Sequence, residues 1–344
     1  MFELCGILIV NLNLMGDKMP KILVMSIYFG KMPEHFPAFC ESVKKNSNID
    51  FLLVTDANVE NLPKNMRVKN ISFEETVERF RSLFDFDIVL DRPYKLCDFK
   101  PVWCCAFSEE LKDYDFWGVC DLDMIFGNIL NFLPEEIFEH NDKIYELAHL
   151  MFYRNSNEVI DRYKLSGGES YKTAFSSNEI FAFDEIAGMQ NIYDANKFSS
   201  YKSRDYADIT YCRYRFTLSD FRIDQYGIEP QNNNYQKQLF YWEDGRVYRA
   251  YLKDGQIFTE EFNYIHFSKR KMFLNGYNEN WNAYFITNKG LFKKGNEVTE
   301  ADFDKYNPTE PKQEAARERE TKKTGRKNKR KYYLSIIKKK LGLK

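Results

Sequence analysis

The sequence predicts an α/β fold, in which a mostly parallel sheet is flanked by helices. In the first third of the chain, short apolar runs of strand length alternate with helix-like segments, a pattern typical of parallel sheets. The chain has 344 residues, of which 44% are hydrophobic and 29% charged. A chain of this size and composition can bury a sizeable core.

The predicted elements of the sheet follow one another in order. Its first three strands are residues 21–29, 50–56 and 68–73. Residues 34–45 read as a helix between the first two strands. Ser72 and Glu75 have the spacing of a capping box, which predicts a helix that begins there and continues to about residue 84.

The segment 94–111 (YKLCDFKPVWCCAFSEEL) is predicted to contain the next helix. Pro101 suits a first helical turn, and Asp98 suits the position that caps it. Contact of Asp98 with a sugar is the alternative interpretation. This helix leads into an apolar strand at residues 116–121.

Two acids, Asp121 and Asp123, stand where this strand ends. Residues i and i+2 of an extended chain point to the same side. An ionised carboxylate in a dry site needs a partner, which here is a metal ion, a basic side chain or water. Hard oxygen ligands suit Mn²⁺ or Mg²⁺, and such an ion could hold a diphosphate. Since ligands bind beyond the carboxyl ends of parallel strands, Asp56 is expected at the same edge.

The second half of the chain is expected to complete the same domain, which we place at residues 19–306. Its strands or strand edges are predicted at residues 145–155, 179–185, 246–252 and 262–272. Residues 1–18 are interpreted as an extension, with translation expected to begin at Met15 or Met19. Residues 307–344 are interpreted as a basic linker, disordered to residue 330, followed by an amphipathic tail.

The charge is divided unevenly along the chain. Residues 312–344 carry 14 Lys and Arg but 3 Asp and Glu, whereas the whole chain has a net charge of −1. An acidic body with a basic tail argues against a specific nucleic-acid binder. The tail, with apolar residues beside its lysines, is predicted to bind an anionic membrane surface, the alternatives being a solubilising or an RNA-binding tail. Seven cysteines without a Cys-x-x-Cys pair predict reduced thiols in a cytoplasmic protein.

Four segments resemble a bacterial family of DXD-containing glycosyltransferases that act in surface-polysaccharide synthesis. They are YKLCDFKP (94–101), YDFWGVCDLDMIFGNI (114–129), FAFDE (181–185) and FNYIHFSKRKM (262–272). The resemblance covers roughly residues 21–275 and implies a GT-A-like (Rossmann-like) fold. A more distant resemblance links the chain to family 32 and family 8 sugar transferases. The chain departs from them because Pro101 follows Lys100 and no Gly-Gly-x-Tyr segment precedes the acids.

The resemblance implies an enzyme of the hexosyltransferase type. Its donor would be a nucleotide sugar, a UDP-sugar above others, and its acceptor would be a glycan or a lipid-linked molecule. The protein is expected at the inner face of the cell membrane. The metal, Mn²⁺ or Mg²⁺, would be bound by Asp123, by His266 and, directly or through water, by Asp121. The donor would contact Asp56, Lys95, Asp98, Lys100, Asp121, Lys269 and Arg270.

Two further carboxyl groups, Asp184 and Glu185, follow an apolar approach in FAFDE. Either could act as a catalytic base or as a sugar anchor. His149 is a candidate for the acceptor side of the site. Each candidate has a structural alternative: Asp56 as a turn former, and His149 or His266 as a core histidine.

Two other functions compete with glycosyl transfer. A haloacid-dehalogenase-type phosphohydrolase also has an Asp-x-Asp after an apolar strand, but there the motif belongs near the start of the sheet and a Gly-Asp-x-x-x-Asp follows later. The second alternative is a catalytically inactive carbohydrate-binding relative. Sugar nucleotidyl transfer is disfavoured, because the loop after the first strand lacks a glycine-rich basic phosphate cradle.

Overall fold

The computed structural model describes residues 19–221, 228–230, 234–268 and 270–340. The predicted extension 1–18 and the predicted donor-binding Lys269 lie outside these ranges. The strands of the main sheet are β1 (Ile22–Ile27), β2 (Asp50–Thr55), β3 (Met66–Asn70), β4 (Phe116–Cys120), β6 (Lys143–Ile144), β7 (Leu150–Arg154) and β8 (Ser200–Tyr201).

These seven strands lie in the order β3-β2-β1-β4-β7-β6-β8. The pairs β3–β2, β2–β1, β1–β4 and β6–β8 are parallel, and β7 is antiparallel to both of its neighbours. The predicted α/β fold with a mostly parallel sheet is therefore confirmed.

Strand β1 shows why apolar runs form the centre of this sheet. Leu23 and Met25 pack into one hydrophobic core, while Ile22 and Val24 pack into another. Successive side chains of a strand point to opposite faces, so a strand covered on both faces must be apolar at every position.

Short helices surround the sheet. They are α1 (Phe36–Lys44), α2 (Phe73–Arg81), α3 (Trp103–Ala106), α4 (Ile129–Phe132), α5 (Glu135–His140), α6 (Asn157–Asp161), α7 (Tyr171–Phe175) and α8 (Asn191–Asn196). The predicted capping box of α2 is present, since Glu75 N donates to Ser72 Oγ (3.0 Å) and Ser72 N to a Glu75 carboxylate oxygen (2.7 Å). Helix α2 ends three residues before the predicted position.

The predicted helix at 94–111 is wrong. The segment is a chain of 3₁₀ turns (Pro93–Cys97, Lys100–Val102 and Ser108–Glu110) around the four-residue α3. Asp98 caps no helix, because its carboxylate accepts the backbone N–H groups of Phe181 and Phe183 instead.

The second half of the chain adds small sheets. Their strands are β5 (Met124–Phe126), β9 (Ala207–Asp208), β10 (Ser219–Phe221), β11 (Ile228–Pro230), β12 (Gln238–Glu243), β13 (Arg246–Lys253), β14 (Gln256–Phe262), β15 (Tyr264–His266), β16 (Ala283–Thr287) and β17 (Gly290–Lys293). Strands β14-β13-β12-β16-β17 form an antiparallel sheet, and β10 pairs with β11. The predicted strand at 179–185 is absent, because the chain turns at Ala182, whose φ of +50° lies in the left-handed region.

The sheet β5-β15-β9 joins the two halves. Strand β15 runs antiparallel to β5, which immediately follows the two acids, and parallel to β9. In this register His266 lies opposite Met124 on one side and opposite Asp208 on the other. The pairing therefore brings a late histidine to the acids of the first half.

The disordered linker predicted at residues 307–330 is also wrong. After α9 (Glu300–Tyr306), the chain forms one long helix, α10 (Pro311–Lys340). Opposite charges one turn apart stabilise it, as in the pairs Arg317–Glu320 and Lys322–Glu318. Glu314 accepts the backbone N–H groups of Tyr214 and Arg215, so the first turn of α10 is attached to the body.

In the part of the chain that the structure describes, no helix combines the length and the apolar character needed to cross a bilayer.

Lys143 is a completely buried lysine of the main sheet. It donates to the carbonyl oxygen of Tyr145 and to Gln190 Oε1. Burial lowers the pKa of Lys143 from 10.5 to about 7. Between these two pKa values, Lys143 is protonated in the unfolded chain and neutral in the folded chain. Its contribution therefore makes the free energy of unfolding rise with pH.

We predict that Lys143→Met removes this dependence. Between pH 7 and 9 the free energy of unfolding of the wild type should rise relative to that of the variant, by up to about 1.4 kcal/mol per pH unit. Urea unfolding at several pH values measures it. Lys164→Met, at an exposed lysine, is the control and should follow the wild-type profile. Parallel profiles for wild type and Lys143→Met would contradict the prediction.

Candidate active site at the carboxyl edge of the sheet

The predicted acids lie at one edge of the main sheet. Strands β2 and β4 both run parallel to β1, so Asp56 after β2 and Asp121 after β4 follow the same ends of their strands. Asp56 is exposed, and its Oδ1 accepts the backbone N–H of Gly30 at 2.8 Å. Gly30 has a φ of +92°, which favours glycine. Asp56 thus fixes the turn after β1, as its structural alternative expected, and its side chain is accessible at the same edge of the sheet.

Asp121, Asp123 and His266 come together at this edge. Each offers a ligand atom, and these atoms all lie within 4.8 Å of one another. His266 Nε2 is 3.4 Å from Asp123 Oδ1, and Phe267 N donates to the carbonyl oxygen of Asp123 at 2.8 Å. All three side chains are partly exposed. Two carboxylates and an imidazole are a donor set that fits a divalent ion such as Mn²⁺.

The side chain of His266 lies between two carboxylates, which stabilise it in this position. Burial would lower the pKa of His266, but the carboxylates of Asp123 and Asp208 raise it well above its usual value. The ring thus lies in a strongly negative environment, which also attracts a cation.

Lys100 lies beneath Asp121 and points inward. Its ammonium donates to Asp121 Oδ1 and to the carbonyl oxygen of Ala148, both at 2.7 Å, and lies 3.6 Å from Asp184 Oδ2. Burial would lower the pKa of Lys100, but Asp121 and Asp184 raise it. Lys100 is 5% exposed, so its ammonium does not reach a donor in this structure. It forms an ion pair instead, which orients Asp121.

Asp184 and Glu185 border the same site. Asp184 is buried beside Lys100, and burial raises its pKa well above the usual value although Lys100 opposes the shift. Burial also raises the pKa of the Glu185 carboxyl, again against Lys100. Lys100 therefore links Asp121 of the DXD segment to Asp184 of FAFDE.

The predicted donor residues Lys95 and Asp98 are fully buried. Lys95 Nζ donates to Asp98 Oδ2 at 2.7 Å and to the carbonyl oxygens of Ala174 and Glu179. Because neither side chain reaches the surface, they do not contact a donor in this conformation. Together they hold residues 179–183, the segment that leads to Asp184.

His149 is not on an open acceptor face. It is buried, its Nδ1 pairs with the Tyr264 hydroxyl at 2.8 Å, and its ring stacks on His266 at 4.4 Å. Burial and the neighbouring His266 lower the pKa of His149 well below its usual value. His149 therefore supports His266 from behind, as the core-histidine alternative expected.

Arg270 is also used differently from the prediction. Its guanidinium donates to the carbonyl oxygens of Thr210, Arg213 and Tyr214. Burial lowers the pKa of Arg270 to about 10. The side chain fastens the 210–214 loop, so its donors are not directed toward a phosphate.

Asp208 is the residue that sequence reasoning missed. It is buried, and its Oδ1 accepts from His266 Nδ1 at 2.8 Å. Burial would raise the pKa of Asp208, but the hydrogen bond with His266 contributes to lowering it to about 2. A lone acid in a two-residue strand has no periodicity that could have indicated it.

We predict that the Lys95–Asp98 pair is essential for stability. Asp98→Asn should cost about 3–5 kcal/mol, because it leaves a buried ammonium without its counter-charge. Asp161→Asn is the matched control, since Asp161 forms an exposed pair with Lys164 three residues away and should change stability by less than about 1 kcal/mol. Urea unfolding of both variants measures the difference, and equal losses would contradict the prediction.

Several solved structures are similar to parts of this chain. Similar solved structures include the glycosyltransferase GlyE of Streptococcus pneumoniae TIGR4 (TM-score 0.29, 11% identity, 55% of this chain and 46% of that one). A glycosyltransferase involved in glycosylation of the major capsid of PBCV-1 matches with a TM-score of 0.31 and 10% identity over 55% of this chain and 85% of that one. Galactosyltransferase LgtC, solved with donor and acceptor sugar analogs, matches with a TM-score of 0.30 and 10% identity over 55% and 75%.

The match to the pneumococcal protein spans less than half of that protein's length. The search of curated proteins gave no match. A model of the family of unknown function DUF6625 matches residues 24–295, which is most of the chain. The chain belongs to the DUF6625 family.

Proposed function

We propose that this protein is a metal-dependent glycosyltransferase that moves a sugar from a nucleotide-sugar donor to a glycan or lipid-linked acceptor in cell-surface polysaccharide synthesis. The observation that carries the proposal is the convergence of Asp121, Asp123 and His266 at the carboxyl edge of a parallel sheet. Open α/β sheets bind ligands at this edge. The motifs around these residues are those that resemble DXD-containing glycosyltransferases.

The metal, Mn²⁺ or Mg²⁺, would be held by Asp121, Asp123 and His266. When bound, it would supply positive charge for the diphosphate of a donor such as a UDP-sugar. The chain itself sets the shape of this site, because Lys100 orients Asp121 and the backbone of Phe267 holds Asp123. Asp56 is the accessible candidate for the ribose or base.

Asp184 and Glu185 are the proposed catalytic carboxyl groups. Burial raises the pKa of both groups. A raised pKa suits a group that exchanges a proton with an acceptor hydroxyl near neutral pH. A sugar anchor is the other role open to them, and Glu185 is the more exposed of the two.

The test is donor turnover with matched acid variants. Asp123→Asn should abolish Mn²⁺ binding and Mn²⁺-dependent breakdown of UDP-sugars in a chain that remains folded. Asp121→Asn should abolish the same turnover and also lower stability, because Lys100 then keeps Asp184 as its one acidic partner within 4 Å among the described residues. Asp113→Asn, at an exposed acid before β4, is the control and should behave as the wild type.

Three results would contradict the proposal. Full turnover in both Asp121→Asn and Asp123→Asn would exclude the metal assignment. Release of inorganic phosphate from sugar phosphates, with no use of nucleotide sugars, would favour the phosphohydrolase. Binding of a nucleoside diphosphate with Mn²⁺, but no turnover of any donor and acceptor tested, would favour the inactive carbohydrate-binding relative.

We further propose that α10 places the enzyme peripherally on the cytoplasmic face of the membrane. From residue 322 to 340 the helix carries ten Lys and Arg and no acidic residue. Near an anionic surface each such residue contributes about 1 kcal/mol of attraction. A lipid-linked acceptor would be concentrated at the same surface.

Deletion of residues 321–344 tests this second proposal. The cut leaves Glu314 and its contacts with the body in place, so Mn²⁺ binding and donor turnover in solution should be unchanged. Sedimentation with vesicles of anionic lipid should be lost, and for the full chain it should weaken as salt shortens the Debye length below about 8 Å. Neutral vesicles are the control. Equal sedimentation of both chains with anionic vesicles would contradict the role of α10.

A further inference from the structure

We infer that Asp208 is a positioning residue, which accepts a hydrogen bond from Nδ1–H of His266 and so presents Nε2 of the ring to the metal. The inference rests on the metal site of the proposed function and deepens it. It assigns a role to a buried carboxylate 85 positions after Asp123 in the sequence.

The two nitrogens of His266 have different partners. Nδ1 lies 2.8 Å from Asp208 Oδ1, and Nε2 lies 3.4 Å from Asp123 Oδ1. In a neutral imidazole, an Nδ1–H that donates to a carboxylate leaves the lone pair on Nε2, and a bound metal ion takes the place of the second proton. Carboxylates commonly orient metal-binding histidines in this way and fix their tautomer.

The oxygens of Asp208 are occupied by other donors. Ser268 Oγ donates to Oδ1 at 2.8 Å, and Ser219 Oγ donates to Oδ2 at 2.7 Å. With His266, three donors surround a carboxylate that is 5% exposed. Asp208 is therefore fixed in a position that orients the ring of His266. Because its oxygens already accept these hydrogen bonds, they are not available to an ion.

A second group of possible ligands, His149 with Asp208 and His266, also lies within 4.8 Å. The two imidazole rings are stacked nearly parallel, with 4.4 Å between centroids and 17° between planes. The lone pair of a ring nitrogen lies in the ring plane, so the lone pairs of stacked rings do not converge on one ion. His149 and Asp208 therefore support the ring of His266, and the proposed metal site lies on the side of the ring that faces Asp123.

The strands fix this arrangement. His266 lies opposite Asp208 in the parallel β15–β9 pair and opposite Met124 in the antiparallel β15–β5 pair. The supporting acid and the histidine thus stand side by side on adjacent strands, and the DXD segment immediately precedes the third strand, β5.

The experiment measures binding of Mn²⁺ alone to the full chain, by electron paramagnetic resonance of the free ion. Asp208→Asn should weaken binding by roughly 10- to 100-fold, the usual effect of removing a carboxylate that orients a metal-binding histidine. Ser219→Ala is the matched control and should weaken it less, because it removes a donor from the oxygen that does not face His266. In a His266→Ala background, Asp208→Asn should cause no further loss.

Two outcomes would overturn the inference. One is wild-type Mn²⁺ affinity in Asp208→Asn. The other is the same loss with and without His266, which would mean that Asp208 binds the ion itself or acts through the fold. If Asp208→Asn does not fold, Ser268→Ala replaces it, since it removes a donor from Oδ1, and its loss must likewise vanish without His266.

Mn²⁺ binding and sugar transfer, both measured on the wild type, distinguish this inference from the proposed function. A chain that binds Mn²⁺ through His266 but transfers no sugar would leave the role of Asp208 standing and overturn the transferase. A chain that transfers sugar but binds no Mn²⁺ would overturn the role of Asp208 and leave transfer intact.

Discussion

The antiparallel pairing of β5 with β15 is the constraint on which the rest of the site depends. It places Met124 opposite His266, and Gly127 N continues the contact by donating to the carbonyl oxygen of Asn263 at 2.7 Å. A Cβ on Gly127 would lie 2.7 Å from the Phe262 carbonyl oxygen. The close approach of these two chain segments therefore requires glycine immediately after β5.

Buried cations organise the loops around this pairing. Lys100 joins Asp121 to the Ala148 carbonyl, and Lys95 with Asp98 holds the backbone before Asp184. These segments lack long helices, so their order comes from charged hydrogen bonds, which are short and strongly directional. The same bonds explain why the region 93–111 is irregular although its sequence suits a helix.

The sequence predicts the parts of the molecule whose signal is local. Strands β1 and β2 follow from apolar runs, and the capping box of α2 follows from Ser72 and Glu75. His266 could be predicted through the resemblance, because the acids and the histidine both lie in segments that resemble DXD-containing glycosyltransferases. The role of Asp208 and the inward orientation of Lys100 result from contacts between segments that are far apart in the sequence. The periodicity of apolar residues carries no information about such contacts. The part of α10 up to residue 330 was missed because polar composition hides the charge pairs that stabilise it.

The distance along the chain between Asp123 and His266 has a consequence for folding. The two residues are 143 positions apart, and β1 and β4 enclose more than 80 residues before they pair. Contacts of such high sequence separation are costly in loop entropy and form slowly. A nascent chain that ends before β15 has the DXD acids but not the histidine. At the proposed metal site, affinity would therefore appear late in synthesis, after the second half of the chain has docked, which would limit ion capture by incomplete chains.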